Sequence, residues 1–304
     1  MIVTSFTPAS EAMGLKPSFW PDEPSAAAWQ LIWEVTTKSS TNATARAMLE
    51  NPYWVYFGNS LFIAVMTMLI SLPVTSLAAY ANSKLLRGPA ARWSFLFFIG
   101  TMFLPAMVTL TANYLLVLNF PFPLPKPPLL PNGKPFPTLR LYDTPWAVII
   151  PGIFGAYNFL LFKGFFDTIP DSIIQAARVD GGSELNIFRR IVFPMSIPVY
   201  AVTAWFQFQG VWESFLWPKL VLATNEKQTA AIAVYNLIQR FQTEGTTDVA
   251  RVQQQAQSMQ EMLAAGLSWN GLMVLGILQT IPIFIMFIIC REYLMRGIRI
   301  RGLK

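Results

Sequence analysis

Five stretches of this 304-residue chain contain no Asp, Glu, Lys or Arg: residues 51–83, 93–125, 144–162, 191–212 and 262–290. The hydrocarbon core of a bilayer, about 30 Å thick, is crossed by about 20 helical residues. Lipid offers no partners to backbone polar groups, so a crossing segment must be helical or part of a closed barrel. The runs therefore predict five membrane-spanning helices, centred on Leu61–Ala81, Trp93–Leu118, Pro145–Phe166, Val199–Trp217 and Gly271–Cys290. Charged residues make up 12% of the chain, about half the share usual in soluble domains. A large soluble protein with buried helices would not produce five such runs. The expected fold is all-α integral membrane, a bundle of kinked helices. Pro73, Pro105, Pro151 and Pro282 lie inside the runs. Each removes a backbone donor and kinks a helix, either as a packing feature or as a hinge.

Charge placement predicts orientation. Segments 82–92, 163–190 and 291–304 hold twelve Lys/Arg against five acidic residues, the opposite side is balanced, and Glu213 stands alone in an apolar segment. Positive residues mark the cytoplasmic side, so the C-terminus is expected inside. The net charge of +6 is then a topology signal and does not indicate a nucleic-acid partner. Five spans with an inner C-terminus place the N-terminus outside. Residues 1–50 are polar and mixed and carry no signal peptide. That combination predicts a sixth, preceding span, with Met1 to Phe6 as its outer end. The domain division expected is an extracytoplasmic N-terminal segment, 1–56, and a transmembrane domain, 57–304. Its outer loops are 119–144 and 218–270, and its main inner loop is 167–198.

The outer loops are unusual. Phe120–Thr144 contains eight prolines and should be extended. Ala231, Val234, Tyr235, Ile238 and Phe241 follow helical spacing, and Val249, Val252, Ala256, Met259 and Leu263 an a/d pattern. These helices either bind an extracytoplasmic partner or pack on each other.

The chain has no His and a single Cys, Cys290. That excludes Ser-His-Asp and Cys-His catalysis, a multi-Cys or His zinc site and an internal disulfide. No G-x-x-x-x-G-K-[S/T] loop is present to cradle ATP. An intramembrane enzyme would have to rely almost wholly on Glu213. A secondary transporter would be expected to show internal repeats and several intramembrane charges. It remains, with a channel, the alternative not coupled to ATP.

Inner residues 169–198 read as two short helices around a glycine turn. Asp171 can cap the first helix, Gly181 or Gly182 can end it in the left-handed conformation, and Ser183 can cap the second. Ile173, Ala176 and Ala177 share one face; Leu185, Phe188 and Ile191 share another. Two adjacent alanines leave a smooth surface that another backbone can approach, which suits a docking element better than a catalytic one.

This segment resembles the EAA signature of permease subunits in bacterial ABC importers. Gln175-Ala176-Ala177, Asp180-Gly181-Gly182, then Phe188, Ile191, Pro194 and Pro198 match its order and spacing. The likeness to maltose-type sugar permeases extends over roughly 55–304. It includes Asn59-Ser60-Leu61, Ala78 to Ala81, Phe159 to Phe166, Trp212 to Pro218, and Arg291-Glu292-Tyr293 with Gly297, Gly302 and Lys304. Gln175 stands where the signature has Glu, Trp212-Glu213 where a Trp-Asn pair is usual, the first of the family's six spans is missing, and the outer loops are long. The resemblance implies a non-enzymatic permease moving a sugar, oligosaccharide, polyol or sugar phosphate by alternating access in a prokaryotic plasma membrane. It implies a second permease subunit, related or identical, two cytoplasmic ATPase subunits that hold ATP and Mg, and an extracytoplasmic solute-binding protein. No cofactor is expected on this chain. Gln175, Ala176, Ala177, Asp180, Gly181, Gly182, Phe188, Ile191 and Pro194 would couple the ATPase to the spans.

Glu213 is expected about 14 residues along its span, roughly 21 Å from the inner side. A carboxylate facing lipid there is costly, so it should face protein or water. Trp205, Phe208, Trp212 and Phe215 recur at three- or four-residue steps, with Gln209 one turn before Glu213. Glu213, Trp205, Phe208, Gln209 and Trp212 are candidates for a solute path, where aromatic faces and a hydrogen-bond acceptor meet a sugar. A packing stripe would have the same spacing.

Overall fold

The structure, a computed structural model, describes residues 1–8, 11, 20–21, 23–36, 51–121, 139–241 and 269–299. The described residues are helical apart from turns, loops and one bridge, Phe120 to Leu139. Helices α1 (Ile2–Ser5) and α2 (Ala27–Thr36) precede the long α3 (Tyr53–Tyr80), which continues through a π-turn to Leu85. Helix α4 (Pro89–Gly100), α5 (Ala106–Leu118), α6 (Trp146–Ile149) and α7 (Ala156–Phe166) follow. Next come α8 (Asp171–Val179), α9 (Glu184–Ile187) with a π-turn at Phe188–Val192, α10 (Phe193–Met195) and α11 (Ile197–Trp212). The last are α12 (Leu216–Val221), α13 (Ala230–Phe241) and α14 (Trp269–Arg299).

The chain is a multi-span, membrane-type helical bundle, but five unbroken spans are not seen among the described residues. Tyr53–Leu85 and Asn270–Leu294 are each long and apolar enough to cross a bilayer. Two further segments qualify only as bent pairs: Pro89–Phe103 with Met107–Leu118, at 104°, and Glu184–Met195 with Ile197–Trp212, at 80°. That gives up to four. The expected 145–166 span is interrupted between α6 and α7.

Proline position explains part of the difference. Pro105 immediately precedes α5, and Pro151 lies between α6 and α7, whereas Pro73 and Pro282 stay inside α3 and α14. The break after α6 leaves carbonyls that need donors. Gln207 on α11 supplies one: its Nε2 donates to the Gly152 carbonyl at 3.2 Å, while its Oε1 accepts from Asn158 Nδ2 at 2.7 Å.

Helix α3 hides a stripe of small and hydroxyl side chains. Ser60, Ala64, Thr67, Ser71, Thr75, Ala79 and Asn82 are all buried, and they recur at three- or four-residue steps. Small residues let backbones approach inside a membrane. A β-carbon on Gly152 would lie 3.1 Å from the Thr67 methyl.

Contacts group the chain into two units: Met1–Phe62 with Ser214–Phe284, and Ile63–Glu213 with Ile285–Lys304. The first gathers Ala28, Ile32, Tyr53, Tyr56, Ala233, Leu237 and Leu275 into one core. Residues before 57 therefore share a core with α13 and α14. Asn59 donates to the Glu226 and Gln228 carbonyls, and Ser60 accepts from the Ala230 amide. Helix α13 forms where its apolar spacing predicts, but its buried face is Ala230, Ala233 and Leu237. The expected Val234 and Ile238 pack beside that face. The proline-rich loop is tied at its ends by reciprocal backbone hydrogen bonds between Phe120 and Leu139. Its interior, the 249–263 heptad pattern and Gly302 with Lys304 lie outside the described residues.

The second unit is built on aromatic rings. Phe159, Phe162 and Phe166 from α7 meet Ala79 and Tyr80 from α3, and Ile174, Ile187, Phe188 and Val192 from residues 171–192. Tyr80 lies 5.2 Å from Phe188 between ring centroids, and Phe162 lies 4.6 Å from Tyr200.

Candidate functional site

Helices α8 and α9 form the helical hairpin that the sequence predicts around Gly181 and Gly182. Gly181 takes φ +81°. The Gly182 amide donates to the Ala177 carbonyl, and the Gly181 amide to that of Arg178, each at 3.0 Å. This pair of bonds is a Schellman motif. The two glycines serve different needs. A Cβ on Gly181 would meet nothing within 4 Å, so its requirement is the left-handed φ alone. A Cβ on Gly182 would stand 2.8 Å from the Ala177 oxygen.

The expected side-chain caps are not made. Asp171 is the first residue of α8, after Pro170, and Ser183 precedes α9 without a side-chain cap bond. Asp171 pairs instead with Lys84, 2.7 Å away across the fold.

That pair belongs to a clamp holding the hairpin to the end of α3. The Lys84 side chain is only 6% exposed, and its Nζ also donates to the Ile169 carbonyl at 2.7 Å. Arg178 Nε pairs with Glu184 at 2.6 Å, closing the hairpin on itself. The Tyr80 hydroxyl donates to the second Glu184 oxygen at 2.9 Å, and Arg178 reaches the Lys84 carbonyl at 3.3 Å. Ser83 donates to Asp167, which also pairs with Lys163. The hydrogen bond and charge of Lys84 hold the Asp171 carboxyl below its ordinary pKa.

The signature residues divide between two surfaces. Gln175, Ala176, Asp180, Gly181 and Pro194 are exposed; Ala177, Gly182 and Ile191 are half-buried; Phe188 is buried in the aromatic core. Leu185, expected beside Phe188 and Ile191, points outward and is 68% exposed, as is Val179 at 88%. Ile174 and Ile187, which sequence reasoning passed over, are the buried anchors. Tyr80, Lys84, Arg178 and Glu184 were also missed as site residues. The Ala78-Ala79-Tyr80-Ala81 run was their one visible signal; the charged partners carried only topology information.

The candidate solute-path residues do not form one open face. Phe208 and Trp212 are buried, with rings stacked 5.8 Å apart. Trp205 lies 5.1 Å from Phe206 and 6.4 Å from Phe287 between ring centroids. Its indole N–H is buried without a hydrogen-bond partner among the described residues. Phe215 lies beyond the end of α11 and packs on Tyr235 at 4.3 Å, so it does not extend the stripe. Glu213 is exposed and caps the end of α11, where Gln209 Nε2 approaches its carboxylate at 3.4 Å. The amides of Asn158, buried, and Gln207, half-buried, were not anticipated, although side-chain amides in charge-free runs were there to be noticed.

Comparison with known proteins gives a consistent result. Residues 71–300 match the family described as binding-protein-dependent transport system inner membrane component. The chain is 26% identical to the arabinooligosaccharides transport system permease protein AraQ of Halalkalibacterium halodurans, covering 100% of this chain and 89% of that one. It is 28% identical to the maltodextrin transport system permease protein MdxG of Bacillus subtilis, covering 84% and 77%. A crystal structure of a bacterial ABC transporter involved in the import of the acidic polysaccharide alginate superposes with TM-score 0.66 over 96% of this chain and 88% of that chain. At 17% identity that likeness speaks to the fold. With its family match covering most of its length, the chain belongs to the binding-protein-dependent transport system inner membrane components.

Proposed function

We propose that this chain is the permease subunit of an ATP-driven ABC importer, carrying a carbohydrate across a prokaryotic inner membrane by alternating access. The observation that carries this reading is the clamped hairpin. Its outer surface presents Gln175, Ala176, Val179 and Leu185, while Ile174, Ile187 and Phe188 anchor it against α3 and α7. Such an element passes a push from a docked partner to the spans without absorbing it. The partners are two cytoplasmic ATPase subunits, which bind ATP and Mg, a second permease subunit and an extracytoplasmic binding protein. Segment 167–198 and the C-terminus face the cytoplasm, in keeping with the excess of Lys and Arg there. Family membership and relatives named for arabinooligosaccharide and maltodextrin transport support a carbohydrate solute. Glu213 and Gln209 are the polar groups of the solute path, and the rings of Trp205, Phe208 and Trp212 belong to its wall.

The test is uptake by proteoliposomes holding the assembled transporter, with its binding protein and a panel of labelled oligosaccharides, polyols and sugar phosphates. Uptake should require ATP and the binding protein. Uptake driven by an ion gradient without ATP would overturn the reading. Glu213→Leu should impair uptake or shift solute preference while assembly survives; unchanged uptake would remove Glu213 from the path.

A further inference from the structure

A cavity of about 120 Å³ opens where the end of α3 meets α8, and its lining includes Lys84, Arg87, Asp171, Gln175 and Arg178. Lys84 is engaged by Asp171, and Arg178 by Glu184. Arg87 is exposed and makes no hydrogen bond or ion pair with any described residue. Three cations face two carboxylates here, and Gln175 adds no charge. The balance favours an anion.

What surrounds the cavity identifies the source of that anion. Asn82 donates to the Ala91 carbonyl at 2.9 Å and to Ser94 at 2.7 Å, tying the start of α4 to the end of α3. From that start, Trp93, Leu96, Phe97 and Phe103 are exposed, Trp93 and Phe97 by 71% and 70%. Trp93, Leu96 and Phe97 recur at helical steps on α4 and Phe103 lies in the turn that follows, so they form an apolar stripe leading on from the end of α3. Leu85, Leu86 and Arg92, between the cavity residues and the stripe in sequence, are also exposed. Tryptophan at the headgroup level, basic residues at the boundary and an apolar stripe beyond match the polarity profile of a phospholipid.

We infer that this cavity holds the phosphate of an anionic phospholipid of the inner leaflet, with its acyl chains lying along the exposed stripe of α4. The inference rests on the proposed cytoplasmic placement of the hairpin. It gives the lipid a position against Gln175 and Arg178, so that headgroup occupancy bears on the hairpin that docks the ATPase. A free phosphate offers the same headgroup chemistry without the chains.

The assembled transporter, purified in phosphatidylcholine nanodiscs containing a photoactivatable phosphatidylglycerol, tests this by crosslink yield and peptide mapping. Crosslinks should fall within residues 83–103. Arg87→Gln should weaken phosphatidylglycerol binding about fivefold, the effect of one basic residue at an anionic surface. Gln175→Glu should weaken it comparably by adding a repelling charge while leaving every cation in place. Equal labelling of both variants and the unmodified protein, or crosslinks elsewhere, would overturn the inference. Displacement by millimolar inorganic phosphate would assign the cavity to a soluble anion and overturn the lipid reading. Labelling that appears only after the ATPase subunits are stripped from the complex would assign the cavity to their interface, with the same consequence. Labelling requires no transport, so failure of the importer reading would appear separately, in the uptake assay.

Discussion

Gly182→Ala tests the hairpin most directly, because backbone atoms set its cost. The new methyl would stand 2.8 Å from the Ala177 oxygen and 3.3 Å from Ile187 Cγ1. The isoleucine can turn aside, but the Ala177 oxygen belongs to α8 and accepts the Gly182 amide at 3.0 Å. Relieving the clash means moving that carbonyl and breaking the bond that closes the turn. A lost hydrogen bond with an orphaned group costs about 1–3 kcal/mol. Amides at the end of α8 that exchange by local opening should then exchange roughly five- to 150-fold faster. Gly181→Ala has room for its methyl but retains φ +81°, which costs an L-residue about 1–2 kcal/mol. Gly164→Ala, on α7 with nothing within 4 Å, is the control and should not lower protection. The assay is hydrogen exchange read by mass spectrometry on the purified transporter, alongside substrate-stimulated ATP hydrolysis. Unchanged protection at 179–182 in Gly182→Ala would refute the steric argument. Lost protection with full coupling would refute the docking role.

Two further outcomes follow from the polar contacts. Gln207→Leu removes the partner of both Asn158 and the Gly152 carbonyl; it should cost about 1–2 kcal/mol, read as a lower melting temperature in detergent, and a neutral result would mean that the break after α6 is satisfied in another way. The Asp171 carboxyl is held below its ordinary value by Lys84, so the contribution of that pair is present above the unfolded pKa near 4 and is lost as pH falls through the lower folded value. Exchange at 169–180, corrected for its intrinsic pH dependence, should therefore be flat from pH 8 to 5 and rise only below about pH 4. A rise between pH 7 and 6 would refute the clamp as the controlling contact, in a chain that has no His to supply another titration there.

Run length and charge found the membrane class and placed α3 and α14, because long charge-free helices have few alternatives in lipid. The same signal overestimated continuity. Residues 93–118 and 145–162 contain no charge, but hydropathy does not register a missing backbone donor, and the chain bends at Pro105 and breaks at Pro151. Pro73 lies within α3, so proline alone does not decide. At Gly152 the partner is Gln207, 55 residues away, a separation that no local pattern contains. Local spacing did place the hairpin turn, since Gly181 and Gly182 act through the backbone. It did not place the clamp, because Lys84 and Asp171 meet only when the fold brings them together.

The hairpin also shows why a signature can be legible while its mechanics are not. Gln175, Ala176 and Ala177 are consecutive, and α8 turns them toward solvent or only half-buries them, while Ile174, immediately before them, is sealed in the aromatic core. A partner pressing on the outward face therefore acts on a helix whose opposite face is packed against Phe166 and Phe188 and whose first residue is bonded to Lys84. Packed interiors move between discrete arrangements and do not bend continuously. Under the proposed function, displacement of α8 must carry the end of α3 with it or break the Lys84, Arg178 and Tyr80 contacts. The exposed residues receive the force, and the buried ones, unremarkable in the sequence, determine where it goes.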